Sequence, residues 1–324
     1  MNKIEISYRT IIFGAAFFAG LWMVVQIRDI LFLLFIAFLL MTAIRPLVVL
    51  LEKIRLPRVV SILLVYAVVF GLFGVSLAGT IPLLVAQSTR LITDLPSFAA
   101  GVLPFWNIDV GSLTQQIAPI SENIVKVTVG IFSNIITTLT VLVFAFYFLL
   151  ERARAEQTLM PLVGESVTKK TLDILRQIEK RLGSWVRGEL VLMGTVGVLS
   201  YIGLTILHVD FALPLAIIAG VLEIVPTIGP IVSAIPAVLV ALATSPFLAL
   251  SVAALYFIIQ QIENNVLVPI VMKRSIGFSP LVTILSVMIG GRFAGVVGAI
   301  LAVPLVLVLQ IIVNELFIAQ PKSK

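Results

Sequence analysis

The chain contains no cysteine and a single histidine, His208. Disulfides, thiolate metal sites and thiol catalysis are therefore excluded, as is a histidine-rich metal cluster. Charge is also scarce. Only 12% of the residues are Asp, Glu, Lys or Arg, against about 25% in soluble domains. No GxxxxGK(S/T) loop, HExxH or GxSxG occurs, so the phosphate-loop, zincin and nucleophile-elbow chemistries have no support. Ser166-Val-Thr-Lys169 fits SxxK but lies in a charged segment without its partner motifs. No Asn-x-Ser/Thr acceptor is present. These absences point away from an enzyme, with no catalytic residues, metal or other cofactor to name.

Apolar residues are abundant: 60% of the 324 positions are hydrophobic. They form uninterrupted runs longer than the ~18 residues that mark a spanning helix, rather than the ~10-residue alternating segments of a barrel. The reading is an all-α, polytopic transmembrane protein. The net charge of +6 sits in short loops between the runs. That is the positive-inside pattern, and it gives no reason to expect nucleic acid.

About six full spans are expected, at roughly 9–27, 30–51, 59–86, 127–150, 186–207 and 247–271. The first, uncleaved, reads as a signal anchor. Residues 87–123 break the pattern with Asp94, Pro96, Pro104, Asn107, Asp109 and Pro119, and read as a non-cytoplasmic excursion. Residues 151–187 are the most charged of the chain, and Leu172, Leu175, Ile178, Leu182 and Trp185 recur there at helical spacing. This predicts an amphipathic cytoplasmic helix lying on lipid or on a neighbouring subunit. The chain thus divides into an N-terminal scaffold (1–150), the charged segment (151–187) and a C-terminal transport unit (188–324).

Two further apolar stretches are too long for one span. Phe211–Thr244 is broken by Glu223-Ile-Val-Pro-Thr-Ile-Gly-Pro230, and Leu281–Ile318 by Gly290-Gly-Arg-Phe-Ala-Gly295. Thirty-four residues would make a helix of ~51 Å, against a hydrocarbon core of ~30 Å. Two re-entrant, Gly/Pro-broken hairpins are expected. Hairpins also leave Lys273, Arg274, Lys322 and Lys324 on the cytoplasmic side with both termini. Ala234-Ile-Pro-Ala-Val-Leu-Val240 echoes Ala302-Val-Pro-Leu-Val-Leu-Val308 at an offset of 68, a weak sign that the hairpins repeat one another.

Broken helices at membrane depth are the sequence pointer to a transporter site. Glu223 precedes the first break, and Pro226, Gly229 and Pro230 free backbone groups beside it. Gln260, Gln261, Glu263, Asn264 and Asn265 form the densest polar cluster within an apolar run. Intramembrane polar and ionisable groups of this kind face cavities or partners. Glu223 and Glu263 are the expected sites of proton or cation coupling, the amides of substrate contact. Gly290 and Gly291 supply a flexible tip, and Arg292 a cation to neutralise Glu223 or Glu263 or attract substrate. Arg187-Gly-Glu189 reads as an interfacial anchor.

These residues resemble the autoinducer-2 exporter family of bacterial permeases. The match is carried by Trp185-Val-Arg-Gly188, Glu223 to Ile231 with Ala234-Ile-Pro236, Gln260 to Pro269, Gly290-Gly291 with Gly298, Ala302-Val-Pro304, and Phe146 to Arg152. The resemblance implies an inner-membrane homo-oligomer, a pentamer. It implies export of a small polar solute of the autoinducer-2 type or, as in other members, sodium(lithium)/proton antiport. Members often carry Gln where this chain has Glu189, and Asn or Glu at the position of Glu223. Elevator-like movement of the C-terminal unit, a passive channel and a non-transporting scaffold are the mechanisms in competition.

Overall fold

The computed structural model describes residues 8–71, 135–152, 154–226, 228–272 and 279–315. The expected excursion 87–123, most of span three and Lys273, Arg274, Lys322 and Lys324 lie outside them. Every regular element among the described residues is helical. Helix α1 (Tyr8–Gln26) leads into α2 (Arg28–Lys53), and α3 (Arg58–Gly71) follows a short turn. After the undescribed stretch come α4 (Ile135–Glu151), α5 (Ala155–Val163) and α6 (Glu165–Ile206). Then follow α7 (Ala212–Leu222), α8 (Ile228–Thr244) and α9 (Pro246–Ile262). A π-helical turn, Glu263–Leu267, joins α9 to α10 (Val268–Val271), and α11 (Pro280–Val313) closes the order.

Four of these segments are long and apolar enough to cross a membrane: Arg28–Lys53, Glu165–Ile206, Pro246–Val271 and Leu281–Val313. Shorter apolar helices include Arg58–Gly71, Ala212–Leu222 and Ile228–Leu242.

Helix α6 is the spine. Its 42 residues extend ~63 Å, about twice the hydrocarbon thickness. The charged segment from Glu165 onward and the fifth apolar run are one continuous helix, so the bilayer can hold only about half of its length. The apolar face of the lower half does not need lipid or a neighbour to cover it. Leu172, Ile178, Leu182 and Trp185 are buried, the last three in a cluster with Leu39 of α2 and with Leu301, Val303, Leu307 and Ile311 of α11. The chain's own C-terminal helix covers this stripe. Amphipathic periodicity identifies the face but cannot name its partner.

The upper half of α6 packs on α7, α8 and α9 through Val196, Leu204, Leu215, Ala219, Ala237, Val240, Ala241 and Val252. Small residues let these backbones approach closely, as membrane helices require. A third cluster joins α2, α3 and α4 through Met41, Val48, Ile62, Val65, Ala145 and Leu149.

Ion pairs join the scaffold helices to α6 at the charged end. Glu179 of α6 is buried and accepts from both Arg45 of α2 and Arg152 at the end of α4. Arg45 turns inward to this carboxylate. Arg58 donates to the Leu149 carbonyl (Nε, 2.9 Å) and to Glu52 (3.1 Å).

Both interrupted stretches are two helical arms. Helix α8 packs back on α7. A Cβ on Gly229 would lie 1.9 Å from the Leu222 carbonyl oxygen, so only glycine permits this contact. In α11 the helical dihedrals fail at Ala294 (φ −142°) and Gly295 (φ +58°, ψ −141°), the second conformation open to glycine and few others. The turn therefore falls at the end of the glycine-rich run, and Gly290 lies within the first arm. There it meets the backbone of Gly298, eight residues on, which a straight helix would carry ~12 Å away. Pro236 and Pro304, the matched prolines of the sequence echo, each lie inside a second arm.

Candidate functional site

Three carboxylates from three elements converge where α6 begins its apolar half. Glu223 caps the C-terminus of α7 and is 1% exposed; Glu263 opens the π-helical turn and is 6% exposed; Glu189 of α6 is 5% exposed. The carboxyl groups of Glu223 and Glu263 meet within hydrogen-bonding reach, and Glu189 stands close enough to feel both. One oxygen of Glu223 and one of Glu263, each buried, have no hydrogen-bond donor. Among the described residues no Lys or Arg forms an ion pair with any of the three.

Local structure explains the convergence. Helix α7 ends because Pro226 follows, and residues before a proline leave the helical region. That ending places Glu223 at the negative pole of the helix, which favours a positive species beside it. Gly229 then brings the start of α8 against Leu222 and Glu223. Gly188, packed on Met272 and Val271, lets α6 approach the end of α10 and sets Glu189 facing Glu263. The π-helical turn admits an extra residue per turn and rotates Glu263 inward, a distortion common at functional sites.

Three carboxyl groups without a cation cannot all carry charge in a dry interior. The pocket needs a compensating proton or cation. No three acidic or imidazole groups among the described residues are arranged to hold a metal ion.

The comparisons with known proteins agree with a transport role. Residues 11–318 match the model of the AI-2E family transporter. The chain belongs to this family. A Bacillus subtilis relative with a provisional transport-protein name, YrrI, is 30% identical over 79% of this chain and 78% of its own length. YhhT of Escherichia coli K12, named in the same provisional way, is 27% identical over 87% and 84%. The AI-2 transport protein TqsA of Escherichia coli K12 is 35% identical, over 37% of this chain and 35% of its own. Family membership and several apolar helices together make the chain a multi-pass bacterial membrane transporter, of a kind that moves a small solute.

Within this family member, the structure divides the residues that the sequence had grouped. Glu223 and Glu263 come together. Gln260 is half-buried beside them on α9. Gln261, Asn264 and Asn265 are exposed on the other side of the rod, where Asn265 donates to the Gln261 carbonyl (2.9 Å) and to its side-chain oxygen (3.0 Å). At the first break the backbone is largely satisfied locally. Ile228 donates to Pro226 (2.8 Å) and Gly229 to Val225 (2.9 Å), so Pro226, Gly229 and Pro230 shape the turn more than they offer free amides. Gly290 serves the fold of α11, Gly291 touches Ala299, and Arg292 is exposed with no ion pair to Glu223 or Glu263.

Glu189 was not singled out from sequence as a site residue. Its signal was present: an acid one helical turn inside an apolar run. Its neighbour Arg187 drew the reading toward an interfacial anchor.

Proposed function

We propose that this protein is a secondary transporter whose coupling site is the buried carboxyl pair Glu223–Glu263, with Glu189 beside it. The observation that carries the reading is an acidic pocket that, among the described residues, has no basic partner and leaves two buried carboxyl oxygens without donors. Such a pocket binds a proton or a sodium ion and alternates between loaded and empty states as the solute moves. The end of the half-helix α7 and the interrupted helices around it supply the setting in which coupling ions bind in secondary transporters. The two folded-back helix pairs act as re-entrant hairpins. The unit they form with α9 slides, elevator fashion, against the α2–α4 scaffold in the inner membrane, both termini cytoplasmic.

The solute is a small polar molecule of the autoinducer-2 type, moved outward. The segment shared with TqsA supports this class. Sodium(lithium)/proton antiport is the second reading, favoured by the carboxyl cluster itself. The exposed amides Gln261, Asn264 and Asn265, at membrane depth, call for polar neighbours and suit assembly as a homo-oligomer, a pentamer, within the lipid.

Reconstitution into proteoliposomes tests the site. Flux of autoinducer-2, Na⁺ or Li⁺ under an imposed pH gradient should fall at least tenfold in Glu223→Gln and in Glu263→Gln. Undiminished flux in both variants rejects the pocket.

A further inference from the structure

The carboxyl pocket lies where the apolar half of α6 begins, so about 25 Å of apolar helix separates it from the C-terminal end of α6. Other buried polar groups stand along that distance. Ser200 of α6 is fully buried, and Tyr256 of α9 is nearly so. Their hydroxyls face one another, and neither makes a well-formed hydrogen bond to another group among the described residues. This sets Ser200 apart from the helix hydroxyls that close back on their own backbone, such as Thr195 on Val191 (2.7 Å), Ser251 on Phe247 (2.9 Å) and Ser286 on Val282 (2.6 Å).

The register of α9 links this pair to the pocket. Tyr256, Gln260 and Glu263 occupy positions i, i+4 and i+7, one stripe of a helix. They follow one another at axial steps of about 6 Å and about 4.5 Å. Across the seam Ser200 lies eleven residues beyond Glu189 on α6, three helical turns and so the same face. Two hydroxyls, an amide and the carboxyl cluster thus form a file through apolar packing. Leu192, Val196, Val252 and Ile259 are buried along the same seam. Polar groups so placed in a membrane helix bundle mark proton and ion pathways.

We infer that Ser200, Tyr256 and Gln260 are the far-side access path by which protons reach and leave the carboxyl pocket. The inference rests on the coupling site proposed above. Water can complete the file where these groups do not touch. In one passage the Tyr256 hydroxyl passes its proton toward the Gln260-held water and takes another from the far side through Ser200. The carboxyl pair gains the proton, and neither hydroxyl changes charge over the cycle. Gln260 orders the water and carries no proton itself. The charged and titratable groups along this file are Glu189 on α6, Glu223 at the end of α7, and Tyr256 and Glu263 on α9 and its π turn.

The test uses the full chain in proteoliposomes with a trapped pH indicator and opposing gradients of Na⁺, Li⁺ or autoinducer-2. Tyr256→Phe and Ser200→Ala remove only hydroxyls. Each should slow proton movement about tenfold, with equilibrium binding of the same solutes unchanged. The slowed variants should show a larger D₂O effect than the parent, because proton delivery has become limiting. Ser200→Thr, which keeps the hydroxyl, should stay within twofold. If the Tyr256→Phe/Ser200→Ala double variant moves protons at the parental rate while Glu223→Gln does not, the path is overturned and the coupling site stands. If Glu223→Gln also couples normally, both fall.

Discussion

Arg187 of α6 donates to the carbonyl of Thr42 (3.3 Å), the oxygen that Pro46 leaves without its partner in α2. An α-helical residue at position 46 would bond its N–H to Thr42, and proline has none to give. The same guanidinium reaches Ala43 (3.4 Å). Gly183 makes the approach possible, since a Cβ there would stand 2.5 Å from that carbonyl. The proline of α2 and the Gly-x-x-x-Arg face of α6 are thus one joint between scaffold and spine, two residues from Glu189.

Removing this joint should be costly, and the cost should depend on Pro46. Arg187→Ala strips buried carbonyls of a donor and should destabilise the protein by about 1–3 kcal/mol. In a Pro46→Ala background the helix supplies its own N–H to Thr42, and the penalty should shrink. Denaturant unfolding in detergent of the four members of this cycle measures the difference.

Glu179 holds two arginines at the charged end. Glu179→Ala leaves Arg45 and Arg152 without their counter-charge in a partly buried setting, at a cost of about 3–5 kcal/mol. Adding Arg152→Met should recover part of it. The thermal midpoint in detergent reads both, and a negligible loss in Glu179→Ala would mean that solvent, not Glu179, balances those charges.

The glycines divide by position. Gly229→Ala meets the Leu222 carbonyl, and Gly295→Ala must hold φ +58° with ψ −141°. Each should cost about 1–3 kcal/mol or more. At Gly14 and Gly194 a Cβ would find no atom within 4 Å, so alanine there should be neutral or stabilising by up to about 1 kcal/mol. Expression level and thermal unfolding of the four variants separate the classes.

Glu189→Gln should fold normally, because a neutral amide suits a buried pocket better than a third acid. Flux should nevertheless drop, by about tenfold, since one charge that bears on Glu263 is gone. Its pH–rate profile should shift relative to the parent. A profile and rate matching the parent would return Glu189 to a purely structural role.

Much of the fold was legible along the chain because lipid imposes strong composition rules. Uninterrupted apolar runs gave α2, α4 and α9, and the Gly/Pro clusters marked both places where a stretch resolves into two arms. The turn in α11 was harder to locate. Gly290 and Gly295 look alike in sequence, and only the dihedrals show that one packs and the other turns. Glu223 and Glu263 stood out because an acid in an apolar run is expensive. Glu189 did not, because its depth depends on where α6 leaves the membrane, which a 42-residue continuous helix conceals.

By itself the sequence determined that the chain is helical, lies in a membrane, breaks twice near its C-terminal end and keeps a few acids where acids are costly. Those facts follow from transfer energies and backbone chemistry that act residue by residue. The tertiary structure alone decided that three of those acids share one pocket, that α11 rather than lipid covers the stripe on α6, and that Arg187 caps the carbonyl Pro46 leaves free. Each of those is a contact between residues from 34 to more than 140 positions apart, and no local periodicity encodes which distant surface a side chain meets.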